Sequence, residues 1–204
     1  LQTHLWNEGV RRGIAEKDGD LFLFFGLYRP VLCKNESWSY VGKQREFHKI
    51  FGWLQVGEVI ELAKEKAPKE VTNHPHVRRS AIVRNELGGR REDNNTLYLA
   101  RPTLSFAPDI PGAGVFGPFD PNDFGDPRRL TFEDNNCSQW KLPSFFCGIS
   151  NMGTQPEPVN GWWCPQRRGP GQEFVLNTAG FEREAARWLL NLFKHAQRQF
   201  SARA

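Results

Sequence analysis

The 204 residues carry 39% hydrophobic and 25% charged side chains, with a formal charge of +4 at pH 7 and a pI near 9.0. A chain of this size buries one good core and nothing forces a second domain, so a single domain over residues 1–204 is expected. No apolar run reaches the roughly 18–20 residues that cross a bilayer, and no signal peptide opens the chain, so a cytoplasmic protein without a membrane partner is expected.

Cys33, Cys137, Cys147 and Cys164 form no C-x-x-C pair, which argues against a structural zinc site or a disulfide scaffold and for reduced, buried thiols. Neither metal nor cofactor is expected. The modest basic excess suits a polyanionic partner only where the cations cluster. The chain opens on Leu1 rather than Met, so an N-terminal part, or a partner chain supplying it, is expected to be missing.

In chain order, residues 1–9 read as the last turns of a helix stopped by Gly9. Residues 19–28 (Gly-Asp-Leu-Phe-Leu-Phe-Phe-Gly-Leu-Tyr) and 49–60 (Lys-Ile-Phe-Gly-Trp-Leu-Gln-Val-Gly-Glu-Val-Ile) are short, apolar and bounded by glycine. They predict two strands buried on both faces, around which the core forms. The spacing of Ile50, Trp53, Val56 and Val59 also permits a helix. However, Gly52 and Gly57 each disfavour one by about 1 kcal/mol relative to Ala, so the second strand is expected to bulge or bend at glycine.

Arg29-Pro30 ends the first strand, because proline lacks a backbone donor. Residues 34–46 are polar with Trp38 and Tyr40 interleaved, a hairpin arm or surface loop. A charged stretch, 61–70, is closed by Pro68. A turn at Gly88-Gly89-Arg90-Arg91 precedes a short strand at 95–100, ended by Arg101-Pro102. Residues 108–127 are dense in Pro, Gly and Asp and read as a long loop, a feature that in a compact domain is usually functional or disordered. Residues 167–176 read as a turn entering a strand. Thr178 is placed to cap a final helix whose apolar stripe is Phe181, Ala185, Trp188, Leu189, Leu192 and Phe193. The sum is an α+β protein: a mixed sheet or small barrel, flanking helices and long Pro/Gly-rich loops on one side.

Gly19-Asp20 leading an apolar strand, followed by a strand passing through Gly52 into Val56-Gly57-Glu58-Val59, resembles the two diagnostic strands of PUA-like barrels, the superfamily of ASCH, EVE and YTH domains. That resemblance implies a PUA-like mixed β-barrel that binds RNA or modified bases. A wider series is similar, over most of the chain, to the third of the bacterial nucleotide-modification-associated domain families. It runs through the two strands, His74-Pro75-His76, Asn95-Thr96-Leu97-Tyr98-Leu99-Ala100, Gly112-Ala113-Gly114-Val115-Phe116, Trp140-Lys141-Leu142-Pro143, and Arg168-Gly169 with Gln172-Glu173-Phe174-Val175-Leu176. The last two pieces are split here by Pro170-Gly171. This second resemblance implies a setting in DNA base modification.

The chemistry-bearing residues admit a functional and a plainer account. His74 and His76 project to one side of an extended segment. They suit acid–base work near neutrality or, with a third ligand, a metal, but such a pair more often orders the loop around Pro75. Glu173, opening a strand after the Arg-Gly turn, is the best acidic candidate for catalysis; an ion pair with Arg168 explains it equally well. Arg101, Arg128, Arg129, Arg167 and Arg168 lie at strand ends or in loops, where they would track phosphates or simply be solvated.

Trp53 and Trp140 offer ring faces for a base, Trp140 from a turn and Trp53 with barrel filling as the plainer role. Asn95 and Gln172 would read base edges; Asn95 would equally cap a turn. Gly112-x-Gly114-x-x-Gly117 has dinucleotide-fingerprint spacing but lies among prolines with no helix after it, and is discounted.

The reading is therefore a nucleic-acid-binding domain, DNA favoured over RNA, that recognises or helps process a modified or flipped base in a DNA-modification system. Its assigned residues are His74, His76 and Glu173 for catalysis, Trp53, Asn95, Trp140 and Gln172 for the base, and Arg101, Arg128, Arg167 and Arg168 for phosphates. An enzyme acting on nucleobases or nucleotides, and an interaction scaffold within a modification operon, are the alternatives.

Overall fold

The computed structural model describes residues 19–42, 46–62, 66–78, 96–117, 119–120, 122–131, 140–149, 162–163 and 178–201. The expected helix end at 1–9, the turn at 88–91 and the strand at 167–176 lie outside them. The chain divides into two compact units, Leu1–Phe22 with Trp53–Gly114 and Leu23–Gly52 with Val115–Ala204.

Ten strands are described: β1 (Leu21–Tyr28), β2 (Val31–Lys34), β3 (Ser37–Tyr40), β4 (Phe47–Glu61), β5 (Thr96–Ala100), β6 (Thr103–Leu104), β7 (Ala107–Pro111), β8 (Ala113–Val115), β9 (Leu142–Pro143) and β10 (Trp162–Trp163). The main sheet runs β1-β4-β5, with β8 also paired to β4; β2-β3, β6-β7 and β9-β10 form two-stranded pairs. The α+β composition is as expected, but among the described residues no barrel closes. The expectation of strands buried on both faces also fails for β1, whose residues are half-buried or exposed throughout.

In the first unit β4 pairs antiparallel with β5, and the register shifts between Val56 and Glu58. The expected glycine bulge is therefore real and falls at Gly57. A Cβ there would lie 3.0 Å from the Arg101 backbone just past β5, so any larger residue would have to push that backbone back by a few tenths of an ångström. Ile60, Leu62 and Leu97 form a small core against Ala67, Val71, Val77 and Leu99. Pro68 leads into a 3-10 turn at Lys69–Val71.

The Pro/Gly/Asp stretch expected to be loop is partly strand, because its ends find distant partners. Gln55 N donates to Gly112 O at 2.7 Å, and Gly112 N to Pro102 O at 3.1 Å. A Cβ on Gly112 would sit 1.9 Å from Arg101 O, so the contact requires glycine. Gln55, 3% exposed, ties the unit together: its Nε2 donates to Gly19 O (3.2 Å) and to Ser105 Oγ (2.9 Å), and its Oε1 accepts from Ser105 N at 2.7 Å. Its backbone O receives Arg101 N at 2.9 Å.

In the second unit the long helix Glu182–Ser201 presents the expected stripe. Ala185, Leu192 and Phe193 are buried; Phe193 lies 5.3 Å from Phe116 and Trp188 meets Phe146 edge-on at 5.1 Å, ring centroid to centroid. Its start is closed differently from expectation. Glu182 Oε1 accepts from Gly180 N at 3.0 Å, with Gly180 at φ +86°, whereas Thr178 contributes its backbone O to Phe181 N at 2.8 Å. Cys33 is exposed and Cys147 half-buried, neither in a disulfide, so burial of the thiols is not general. Among the described residues no helix is long and apolar enough to cross a membrane.

Candidate functional site

The sequence-assigned residues are shared between the two units. Trp53, His74, His76 and Arg101 belong to the first unit, Trp140 and Arg128 to the second. Asn95, Arg167, Arg168, Gln172 and Glu173 lie outside the described residues.

Trp140 cannot serve as an open ring platform. It is 2% exposed, wedged edge-on against Phe25 at 4.8 Å and tilted against His48 at 5.3 Å. The isolated bridge Thr131↔Trp140 draws it inward. Arg128 is likewise corrected from phosphate ligand to core ion pair. Fully buried, it donates from Nε to Asp126 Oδ1 (2.9 Å) and Oδ2 (3.1 Å), from Nη2 to Oδ2 (2.5 Å) and from Nη1 to Gly117 O (3.1 Å). A guanidinium with its fork thus filled has little left for a phosphate.

Trp53 is half-buried and donates Nε1–H to Pro111 O at 2.9 Å. A Cβ on Gly114 would lie 2.6 Å from its ring, so that glycine seats the indole. His74 Nδ1 accepts from His76 N at 3.3 Å, and its backbone O accepts from Val77 N and Arg78 N. This caps the helical turn at 75–78 and matches the plainer account of the pair. The two imidazoles stand 5.5 Å apart. Among the described residues, no group of three or more His, Cys, Asp or Glu is placed to hold a metal. Arg101 is half-buried, its side chain lying over Gly57.

The second unit gathers a different set. From β1 the chain turns at Arg29-Pro30 into the β2–β3 hairpin, whose turn places Asn35 (φ 47°) and Glu36 (φ 62°) in the left-handed region, the conformation of tight two-residue hairpin loops. The register pairs Val31 with Tyr40, Leu32 with Ser39, Cys33 with Trp38 and Lys34 with Ser37. Opposed residues share a face. One face is thus Val31, Cys33, Trp38 and Tyr40, the other Leu32, Lys34, Ser37 and Ser39. All eight are exposed, Trp38 at 70% and Tyr40 at 63%. The Arg29 guanidinium lies 4.4 Å from the Tyr40 ring centroid.

Where the chain re-enters β4, Phe47, His48 and Ile50 are buried and Lys49 only half so. Lys49 Nζ sits 5.0 Å from the Tyr28 ring and 4.5 Å from the Phe119 ring. Tyr28, Phe47 and Phe119 form a run of stacked rings with centroids 6.2 and 5.4 Å apart. The Arg129 guanidinium lies 4.5 Å from both Phe47 and Phe124, and Lys141 Nζ lies 4.4 Å from the half-exposed Trp162.

The turns that carry this set are built by aspartates. Asp120 Oδ1 accepts from Asn122 N, Asp123 Oδ1 from Gly125 N and Asp126 Oδ1 from Arg128 N, at 2.9, 3.0 and 2.9 Å. Such side-chain turns order a proline- and glycine-rich segment without a ladder. Burial, reinforced by the neighbouring Arg128 guanidinium and partly offset by Asp126, lowers the Lys49 pKa below its usual value; burial also raises that of Tyr28.

Sequence reasoning registered Trp38 and Tyr40 as an interleaved pair but did not single out Lys49, Tyr28, Arg29 or Phe119. The alternation Ser37-Trp38-Ser39-Tyr40, rings on one face and hydroxyls on the other, was the available signal. Nothing local marks Lys49.

The nucleotide modification associated domain 3 family matches this chain over residues 1–177. No curated protein and no solved structure matches it.

Proposed function

Since the chain belongs to the nucleotide modification associated domain 3 family, with the role in a DNA-modification system which that membership suggests, we propose that it binds nucleic acid through the aromatic and cationic surface of its second unit. The finer reading is a domain that holds DNA, in preference to RNA, and engages a modified or extruded base. The supporting observation is the pairing of exposed rings with cations: Arg29 on Tyr40, Arg129 on Phe124 and Lys141 on Trp162. Bases stack on ring faces whatever their sequence, and cations beside the rings neutralise the backbone that joins the bases. Trp38 and Tyr40 supply stacking, Arg29 and Arg129 the phosphate contacts. A base-edge role for Gln172 and phosphate roles for Arg167 and Arg168, which belong to the same unit, are part of the same proposal.

The test is a titration of labelled single- and double-stranded oligonucleotides, with and without base modification, across a salt series. Binding that weakens steeply with salt, and weakens by roughly 5- to 150-fold in Trp38→Ala (about 1–3 kcal/mol per stacked base), supports the reading. Equal, salt-insensitive, millimolar binding to every oligonucleotide would refute it.

A further inference from the structure

Lys49 combines two ring contacts that suit a cation with partial burial and a nearby guanidinium that do not. Ile50 N donates to Arg128 O and Leu130 N to His48 O, both at 2.9 Å. This places Lys49 and Arg129 in a bridge between the two hydrogen bonds, the arrangement in which opposed residues come closest. Like charges directly opposite one another are destabilising. Arg128 adds a third cation, and Asp126, whose carboxylate also acts on Lys49, is taken up by the Arg128 fork. Lys49 Nζ itself lies over the Tyr28 and Phe119 rings, and Tyr28 is 36% exposed. The groups facing the amine are therefore the Tyr28 and Phe119 rings and the Arg128–Asp126 pair, while Arg129, its bridge partner, rests its guanidinium on Phe47 and Phe124 and donates from Nε to Thr131 O. A lysine so surrounded gives up its proton more readily than one in water, in keeping with the depression caused by burial and by Arg128.

We propose that Lys49 is a nucleophilic amine, positioned to condense with an aldehyde borne by a nucleotide, with Arg129 holding the adjoining phosphate. The substrate class rests on the nucleic-acid reading above. The amine itself rests on the bridge and the ring walls. In the reaction the neutral Nζ lone pair forms a bond to the carbonyl carbon. The carbonyl oxygen collects the protons that nitrogen sheds and departs as water, leaving a C=N bond. One amine and one aldehyde give one imine and one water, with no change of oxidation state. The aldehyde is that of an opened abasic sugar, which lies beside the phosphodiester, or that of a formylated base, which lies on the base edge and reaches the amine when the base is turned out of the stack.

The full chain is incubated with sodium cyanoborohydride and an oligonucleotide carrying an abasic site, one carrying a formylated cytosine, or an unmodified one. A further sample receives pyridoxal 5′-phosphate as a free phosphorylated aldehyde. Adducts are mapped by peptide mass spectrometry. The proposal expects a reduced adduct at Lys49 with one or both aldehyde oligonucleotides, indicating which source is used, and its loss in Lys49→Arg and Lys49→Met variants whose melting curves show them folded. Adducts spread over the other lysines, or unchanged in Lys49→Arg, overturn it. Selective labelling of Lys49 by pyridoxal 5′-phosphate with no oligonucleotide adduct overturns the nucleotide assignment and counts against the nucleic-acid reading. Tight oligonucleotide binding with no Lys49 adduct overturns the inference while leaving that reading intact.

Discussion

Gln55 and Lys49 lie on the same strand, yet their surroundings differ in kind. Gln55 is buried with its side-chain amide bonded at both ends and its backbone N and O bonded as well. Lys49 is half-buried with the Arg128 guanidinium close by, and the Asp126 carboxylate that acts on it is already engaged by Arg128. A buried polar group with its bonds complete is a structural tie, since its desolvation is offset. A partly desolvated charge beside other charges of its own sign opposes folding, and a site is the usual place where that is retained.

The largest expected effect would break the structural part of the second unit without touching its surface. Arg128→Ala strands the buried Asp126 carboxylate, and removing one partner of such a pair costs about 3–5 kcal/mol. Urea unfolding should show this loss. The double variant Arg128→Leu with Asp126→Leu should regain part of it, because neither charge is then left alone. If Arg128→Ala unfolds at the wild-type midpoint, the pair is not the core element its burial implies.

Next in size is Gln55→Leu. The change leaves the buried Gly19 O without its side-chain donor, for an expected loss of about 1–3 kcal/mol, whereas the exposed Ser105 N can turn to water. Trp38→Ala should do the opposite of both. As an exposed hairpin residue it should change stability by no more than about 0.5 kcal/mol, while weakening oligonucleotide binding as stated above. A Trp38→Ala protein that melts early but binds normally would reverse the assignment of the two regions.

How far the sequence disclosed these regions follows from how local the causes are. β1, β4, β5 and the long helix were legible, since apolar runs bounded by glycine or spaced at helical intervals carry their own signal. The bulge at Gly57 was legible for the same reason. The strands within 108–127 were not, because β8 exists through Gln55 and Phe51, more than fifty residues upstream, and composition alone says loop there. Arg128 read as a surface cation although Asp126 stands two residues before it. The Asp-Pro-Arg order does not reveal that both side chains turn inward. Trp140 failed similarly, its burial being set by Phe25 and His48. Lys49 was invisible because Tyr28, Phe119 and Arg128 reach it from three separate parts of the chain.

The smallest expected effects are pH-dependent and of opposite slope in the two units. Asp20, in the first unit, has its pKa raised above 3.8 by burial. Between 3.8 and that raised value the folded chain holds more protons than the unfolded one, so this group's contribution falls as pH rises and its penalty is fully present above. Asp20→Asn should therefore raise the melting temperature at neutral pH, with the gain vanishing as pH drops below 3.8. Lys49 has its pKa lowered below 10.5. Between the lowered value and 10.5 the unfolded chain holds more protons, so stability rises with pH through that window. Lys49→Met should accordingly be stabilising at neutral pH and lose that advantage as pH approaches 10.5. Melting curves of both variants and the wild type across the pH range separate the cases. A pH-independent gain for Lys49→Met would mean that the substitution acts through packing against Tyr28 and Phe119, and that the amine carries no desolvation penalty at all.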